Sequence, residues 1–166
     1  MTAAKSTEVT IVDADLSRGE HREALVAMLD GFMREPLQGG EPLSERVKRE
    51  VVPGLRAHPA CYIWLAYREG KPVGFTICFL GFSTFVARPL INIHDIFVDT
   101  SMRGLGIGGM LLERVEAKAR ELNCCRITLE VREDNRVARS LYRKVGFDRV
   151  IVGAEHVPME FWHKPL

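Results

Sequence analysis

The sequence lacks an excess of either charge: 23 Lys and Arg face 22 Asp and Glu, a formal net charge of +1. A strongly basic nucleic-acid binder is therefore not supported. It also lacks any apolar run near the ~20 residues of a membrane span. Its first residues, MTAAKSTEVTIVD, lack the apolar core of a signal peptide. A cytoplasmic protein with no membrane partner is expected. No Cys-x-x-Cys pair occurs, so Cys61, Cys78, Cys124 and Cys125 read as small thiols in a reducing compartment. The histidines at 21, 58, 94, 156 and 163 have no zinc-like spacing, and no metal is expected. No repeat, low-complexity tract or linker breaks the 166 residues, so one domain over 1–166 is expected.

What is present is an ordinary globular composition, 46% apolar and 27% charged. Glu8 to Val12 is β-branched and alternating, a first strand. Ala24, Leu25, Met28, Leu29 and Phe32 recur at helical spacing between Arg18 and Met33. A loop marked by Pro36, Gly39, Gly40 and Pro42 follows. Ser44 is placed to cap a second helix, running to about Leu55 and ended by Pro53 or by His58-Pro59. Cys61–Tyr67 and Val73–Phe79 form a hairpin across the turn REGKP. Leu90–Val98 is the next strand. Gly108–Leu122 is amphipathic, Cys125–Val131 is a strand, and Asn135–Val145 is a helix that Gly146 ends. Phe147–Val152 and His156–Trp162 make a closing strand pair. A meander that becomes β-α-β implies a mixed sheet, antiparallel first and parallel around the crossover.

The stretch NIHDIFVDTSMRGLGIGGMLL, Asn92 to Leu112, is the most specific part of the chain. A strand runs into a glycine-rich loop that opens a helix, so backbone N–H groups are left at the helix N-terminus for an anion. Gly104, Gly106 and Gly109 satisfy G-x-G-x-x-G, and Glu130 stands where a dinucleotide fold would place a ribose-binding acid. Two features oppose that reading. DTSMR separates the strand from the first glycine, and too little chain remains for a doubly wound sheet. Read as R-x-x-G-x-G from Arg103, Gly106 and Gly108, the loop is a nest for a pyrophosphate. The helix dipole adds roughly 0.3–1 kcal/mol per charge, and Arg103 a charged hydrogen bond.

These residues resemble the GNAT acetyltransferase superfamily, whose acetyl-CoA pyrophosphate motif is this R-x-x-G-x-G loop. A second block at the family's spacing agrees: LEVREDNRVARSLYRKVGF, with Asn135, Ala138, Leu141, Tyr142, Gly146 and Phe147. The resemblance implies an α/β (α+β) fold, a mixed and centrally splayed sheet of about seven strands flanked by four helices. FSTFVARPLINIHDIFVDTSMRGLGIG is closest to the subgroup of spermidine/spermine and thialysine N-acetyltransferases. There the strand ends Glu-Asp-hydrophobic-aromatic-Val; here His94 replaces the Glu.

The resemblance also implies a set of roles. The pantetheine arm of acetyl-CoA pairs with the backbone of Ile96, Phe97 and Val98. The pyrophosphate lies on Arg103, Gly104, Leu105, Gly106, Ile107, Gly108 and Gly109. Asn135 holds the cofactor arm, and Tyr142 protonates the departing thiolate. His94, with an unperturbed pKa of about 6.5, Asp95 and Glu130 are candidates for the base, and water is a fourth. Strand alternation sends His94 and Asp95 to opposite faces unless a bulge intervenes. Residues 32–45, with Glu35, Glu41 and Glu45, and residues 82–89 are expected on the acceptor side. The function implied is acetyl transfer to a primary amine of a small polyamine-like or amino-acid-like molecule, by direct attack. A protein N-terminal or lysine acetyltransferase and a non-catalytic acyl-CoA-binding module are the alternatives. A homodimer is expected from the family and from the apolar segment HVPMEFW.

Overall fold

The computed structural model describes residues 8–149 and 164–165. Among these, five strands and four helices follow in the order β1 (Val9–Asp13), α1 (Gly19–Met33), α2 (Glu45–Ala57), β2 (Cys61–Arg68), β3 (Lys71–Ser83), β4 (Arg88–Val98), α3 (Ile107–Glu121), β5 (Ile127–Leu129) and α4 (Arg136–Lys144). The sheet order is β1-β2-β3-β4-β5. The first four strands pair antiparallel and β5 joins β4 in parallel, the mixed sheet the element order implied. The two further strands expected near the C-terminus lie almost wholly outside the described residues. The described part, Phe147–Arg149, carries no strand.

Each helix pair covers one face. Ala24, Leu25 and Leu29 of α1 pack with Ile63, Leu65, Phe75, Ile77 and Phe97 on one side. Ile107, Leu111, Leu112, Val115 and Ala119 of α3, with Tyr142 of α4, pack with Trp64, Val73, Cys78, Ile91 and Ile93 on the other. The central strands are apolar on both faces for this reason. Trp64 is fully buried, and its indole N–H donates to Asp13 Oδ1 at 2.7 Å.

The structure chooses the later of the two stops expected for α2 and shortens β5. Ser44 caps α2 by accepting from Val47 N–H at 3.3 Å, but Pro53 lies inside that helix. The helix survives the lost hydrogen bond because Val52 is buried and Val51 and Leu55 pack against the α1-side core. It ends at His58 (φ −77°, ψ 119°), the extended backbone that a following proline demands. β5 has three residues rather than seven, and its pairing with β4 ends at Ile93, where the β3–β4 register slips.

That break positions the site. β5 pairs only with Ile91, Asn92 and Ile93. Just beyond, the β3–β4 register slips: Cys78 pairs with Ile93, whereas Ile77 pairs with Asp95, so His94 is the extra residue of a bulge. From His94 to Val98, β4 has β3 along one edge and no β5 residue along the other.

Candidate active site

The glycine loop follows β4 through a short 3₁₀ turn, Thr100–Met102, which Asp99 caps by accepting from Ser101 N–H at 2.9 Å. Gly104 (φ +81°) and Gly106 (φ +79°) adopt left-handed backbone, where a Cβ is disfavoured. Gly106 is the N-cap of α3, and the first helical bond runs from Met110 N–H to its carbonyl at 3.1 Å. The N–H groups of Ile107, Gly108 and Gly109 precede that bond, so the helix itself does not use them. Gly108 allows a close approach as well. A Cβ there would lie 2.8 Å from Leu141 Cδ2 of α4.

The loop opens onto a cleft of about 470 Å³. Ile96, Phe97 and Val98 line it from the freed end of β4. Arg103, Gly104, Gly106, Ile107, Gly108 and Gly109 line it from the loop, and Asn135 and Tyr142 from α4. One concavity thus collects the expected donor-binding residues save Leu105. The Leu105 side chain is half exposed and does not line the cleft, since glycines on both sides turn it outward.

Asn135 is the N-cap of α4, its Oδ1 accepting from Ala138 N–H at 3.1 Å. Tyr142 is buried, with its ring 5.8 Å from that of Phe147. Burial pushes its hydroxyl pKa up to about 12. It is therefore a neutral O–H at physiological pH.

The candidate bases lie apart from this cleft, on the α1/α2 face of β4 and β5. The bulge overrides simple alternation. Asp95 faces the same side as its partner Ile77, and the His94 ring meets Phe79 edge-on at 5.4 Å on that side as well. Ile93 and Ile96 face the other way. Asp95 is half-buried, and desolvation holds its carboxyl above the usual value, with nearby His94 pulling it down. Glu130 is exposed. Asn92 Nδ2 donates to Thr128 Oγ1 at 3.2 Å and lies 3.4 Å from Glu130 Oε2, so it ties the end of β5 to β4. None of His94, Asp95 and Glu130 lines this cleft.

Sequence reading missed several neighbours. Phe32, Leu37 and Gln38 from α1 and its following loop, expected on the acceptor side, wall the same cleft as the glycine loop. Glu35 also lines the cleft. It is an ion-pair partner of Arg103, at 3.1 Å, and accepts from Thr100 Oγ1 at 3.0 Å. Phe79 is sandwiched between His94 and His58, whose ring lies 4.6 Å away. Only the period-two pattern of β4 pointed to Asn92, and no local signal joined Glu35 to Arg103, 68 positions later in the chain. Among the described residues no three His, Cys, Asp or Glu gather as a metal site, and no helix is long and apolar enough to cross a membrane. The apolar segment behind the dimer expectation lies outside the described residues.

Comparison with known proteins agrees with this geometry. The peptidyl-lysine N-acetyltransferase YjaB of Escherichia coli is 30% identical over 141 residues, covering 82% of both chains. The bovine (Bos taurus) thialysine N-epsilon-acetyltransferase is 32% identical over 74 residues, 45% of this chain and 43% of its own, too short a match to assign the subgroup. Among solved structures, AAC(6')-Iy in complex with the bisubstrate analog CoA-S-monomethyl-acetylneamine superposes with a TM-score of 0.71 at 17% identity. That match covers 96% of this chain and 99% of the other, a likeness of fold. Matches to two further curated relatives span only 36% and 58% of their length. The sequence pattern of the Acetyltransferase (GNAT) family matches residues 25–147. With the pyrophosphate-type loop, the split between β4 and β5 and the α4 tyrosine in one cleft, this chain belongs to the GNAT acetyltransferase family.

Proposed function

We propose that this chain is an acetyl-CoA-dependent N-acetyltransferase acting on a primary amine of a small molecule, polyamine-like or amino-acid-like. One observation carries the reading. Ile96–Val98 on the freed end of β4, the glycine loop and Tyr142 share a single cleft. An extended arm can pair with a strand edge while its diphosphate rests on the helix N-terminus.

Acetyl-CoA would supply the thioester. The chain's own part is to hold it and manage protons. Arg103 and the N–H groups of Ile107, Gly108 and Gly109 take the diphosphate. Asn135 steadies the arm. A neutral amine attacks the thioester carbonyl directly, and the C–N bond forms as the C–S bond breaks. Tyr142, neutral and buried, gives its proton to the sulfur. His94 or Asp95, which the bulge puts together on the α1/α2 face, accepts the amine's proton, with Glu130 or water as the other routes.

A second reading has its own support. The likeness to the E. coli peptidyl-lysine enzyme covers most of both chains, which favours a lysine side chain on a protein. The test is acetyl-CoA turnover across polyamines, amino acids, aminoglycosides and lysine-containing peptides. Selective turnover of a small amine supports the first reading. Turnover confined to peptides supports the second. Coenzyme A binding without turnover of any amine would leave a binding module.

A further inference from the structure

We propose that Glu35 is a positioning residue of the donor cleft, acting as an internal stand-in for phosphate that must release Arg103 before a diphosphate can bind. The proposal rests on the donor-site reading above. Glu35 follows α1 in sequence and belongs to a different part of the chain from the glycine loop, yet its carboxylate lines the same cleft. It pairs with Arg103 Nη2 through one oxygen, at 3.1 Å, and accepts from Thr100 Oγ1 through the other, at 3.0 Å. Arg103 Nε donates to Val98 O at 3.3 Å. The side chain of the loop's only arginine is thus turned back onto β4 and held by an acid.

Three physical points follow. A guanidinium fork matches a carboxylate and a phosphate equally well, so the two compete for the same donors. A carboxylate left beside an incoming diphosphate repels it. Glu35 is also fixed in place: its carbonyl accepts from Gln38 N–H at 2.8 Å and Gly40 N–H at 3.2 Å, which anchors its turn. Donor binding then requires that Arg103 turn from Glu35 to the ligand. The loop after α1, which this pair ties to the glycine loop, is released in the same step. Glu35 therefore lowers donor affinity and links donor occupancy to the loop beside the cleft.

The test compares two ligands, coenzyme A and pantetheine, which lacks the diphosphate. Dissociation constants for wild type, Glu35→Gln, Arg103→Ala and the double variant are measured by calorimetry. Glu35→Gln is expected to tighten coenzyme A by about 2- to 5-fold, the scale of a partly exposed charge pair, and to leave pantetheine unchanged. Arg103→Ala is expected to loosen coenzyme A, and the gain from Glu35→Gln to shrink in its background. Unchanged or weaker coenzyme A binding by Glu35→Gln overturns the proposal. So does equal tightening of both ligands, which would indicate a general change in cleft shape. If wild type binds neither coenzyme A nor acetyl-CoA, the donor-site reading fails first, and the Glu35 role falls with it.

Discussion

His94 and Asp95 are consecutive in the chain and stand on the same face of β4, because His94 is the extra residue of a bulge opposite Ile77 and Cys78. A regular strand would have sent one of them into the core beside α3. The same bulge lies where β5 stops pairing. One backbone irregularity thus groups two titratable residues and frees the strand edge that follows them.

Asp95 is the clearest case for a charge that costs stability. Burial raises its folded-state pKa above the ordinary 3.8. The fold therefore favours the protonated carboxyl, and stability is lost as pH rises through the interval between the unfolded and folded values. Asp95→Asn is expected to melt higher than wild type at pH 7, the difference shrinking as pH falls toward 4. Thermal melts across that range check it. An equal or lower melting temperature at pH 7 would mean that the carboxylate is fully compensated.

Tyr142→Phe is expected to lower turnover by roughly 100-fold, the scale of a positioned general acid, while the affinity for coenzyme A stays the same. With its pKa near 12, Tyr142 does not limit the rate by ionising across the usual assay range. Its raised value favours the fold below pH 10, and that contribution is lost as pH rises from 10 toward 12. The phenylalanine variant should lack this part of the alkaline loss. Stopped-flow turnover and denaturation at pH 8–11 measure both effects; an unaltered rate removes Tyr142 from the chemistry.

Gly74→Ala probes the contact that seats β4 on β3. An added Cβ would lie 2.8 Å from the carbonyl oxygen of Phe97 and 3.5 Å from Val98 Cα. Backbone cannot yield as a side chain tip can, so a cost of about 1–3 kcal/mol is expected, read as a lower denaturant midpoint. Because Phe97 and Val98 line the cleft proposed for the donor, coenzyme A affinity should fall as well. A full-stability variant with normal affinity would show that β4 shifts freely here.

Much of this was legible in the chain itself. The i, i+3, i+4 spacing of Ala24, Leu25, Met28 and Leu29 foretold α1, and Ser44 caps the helix it was expected to cap. These are local effects: periodicity and capping depend on residues within one or two turns. The stop of α2 and the length of β5 depend on distant partners. α2 passes Pro53 because its apolar side rests on the α1-side core, and β5 is cut to Ile127–Leu129, its pairing with β4 ending at Ile93, where the β3–β4 register slips.

By itself the sequence determined the form of the glycine loop. Positive φ at Gly104 and Gly106, the open start of α3 and the Asn135–Tyr142 block are properties of short segments, set by glycine's missing Cβ and by helix geometry. Only the tertiary structure decided what surrounds that loop. It put Glu35 on Arg103, Phe79 between His58 and His94, and Asn92 beside Glu130. Such pairs join residues far apart in the chain, and the register of the sheet and the path of the α1–α2 loop bring them together. A bulge of one residue in β4 decided which face His94 and Asp95 share. Sequence alternation leaves that choice open, because a slip of one position moves a side chain to the other face.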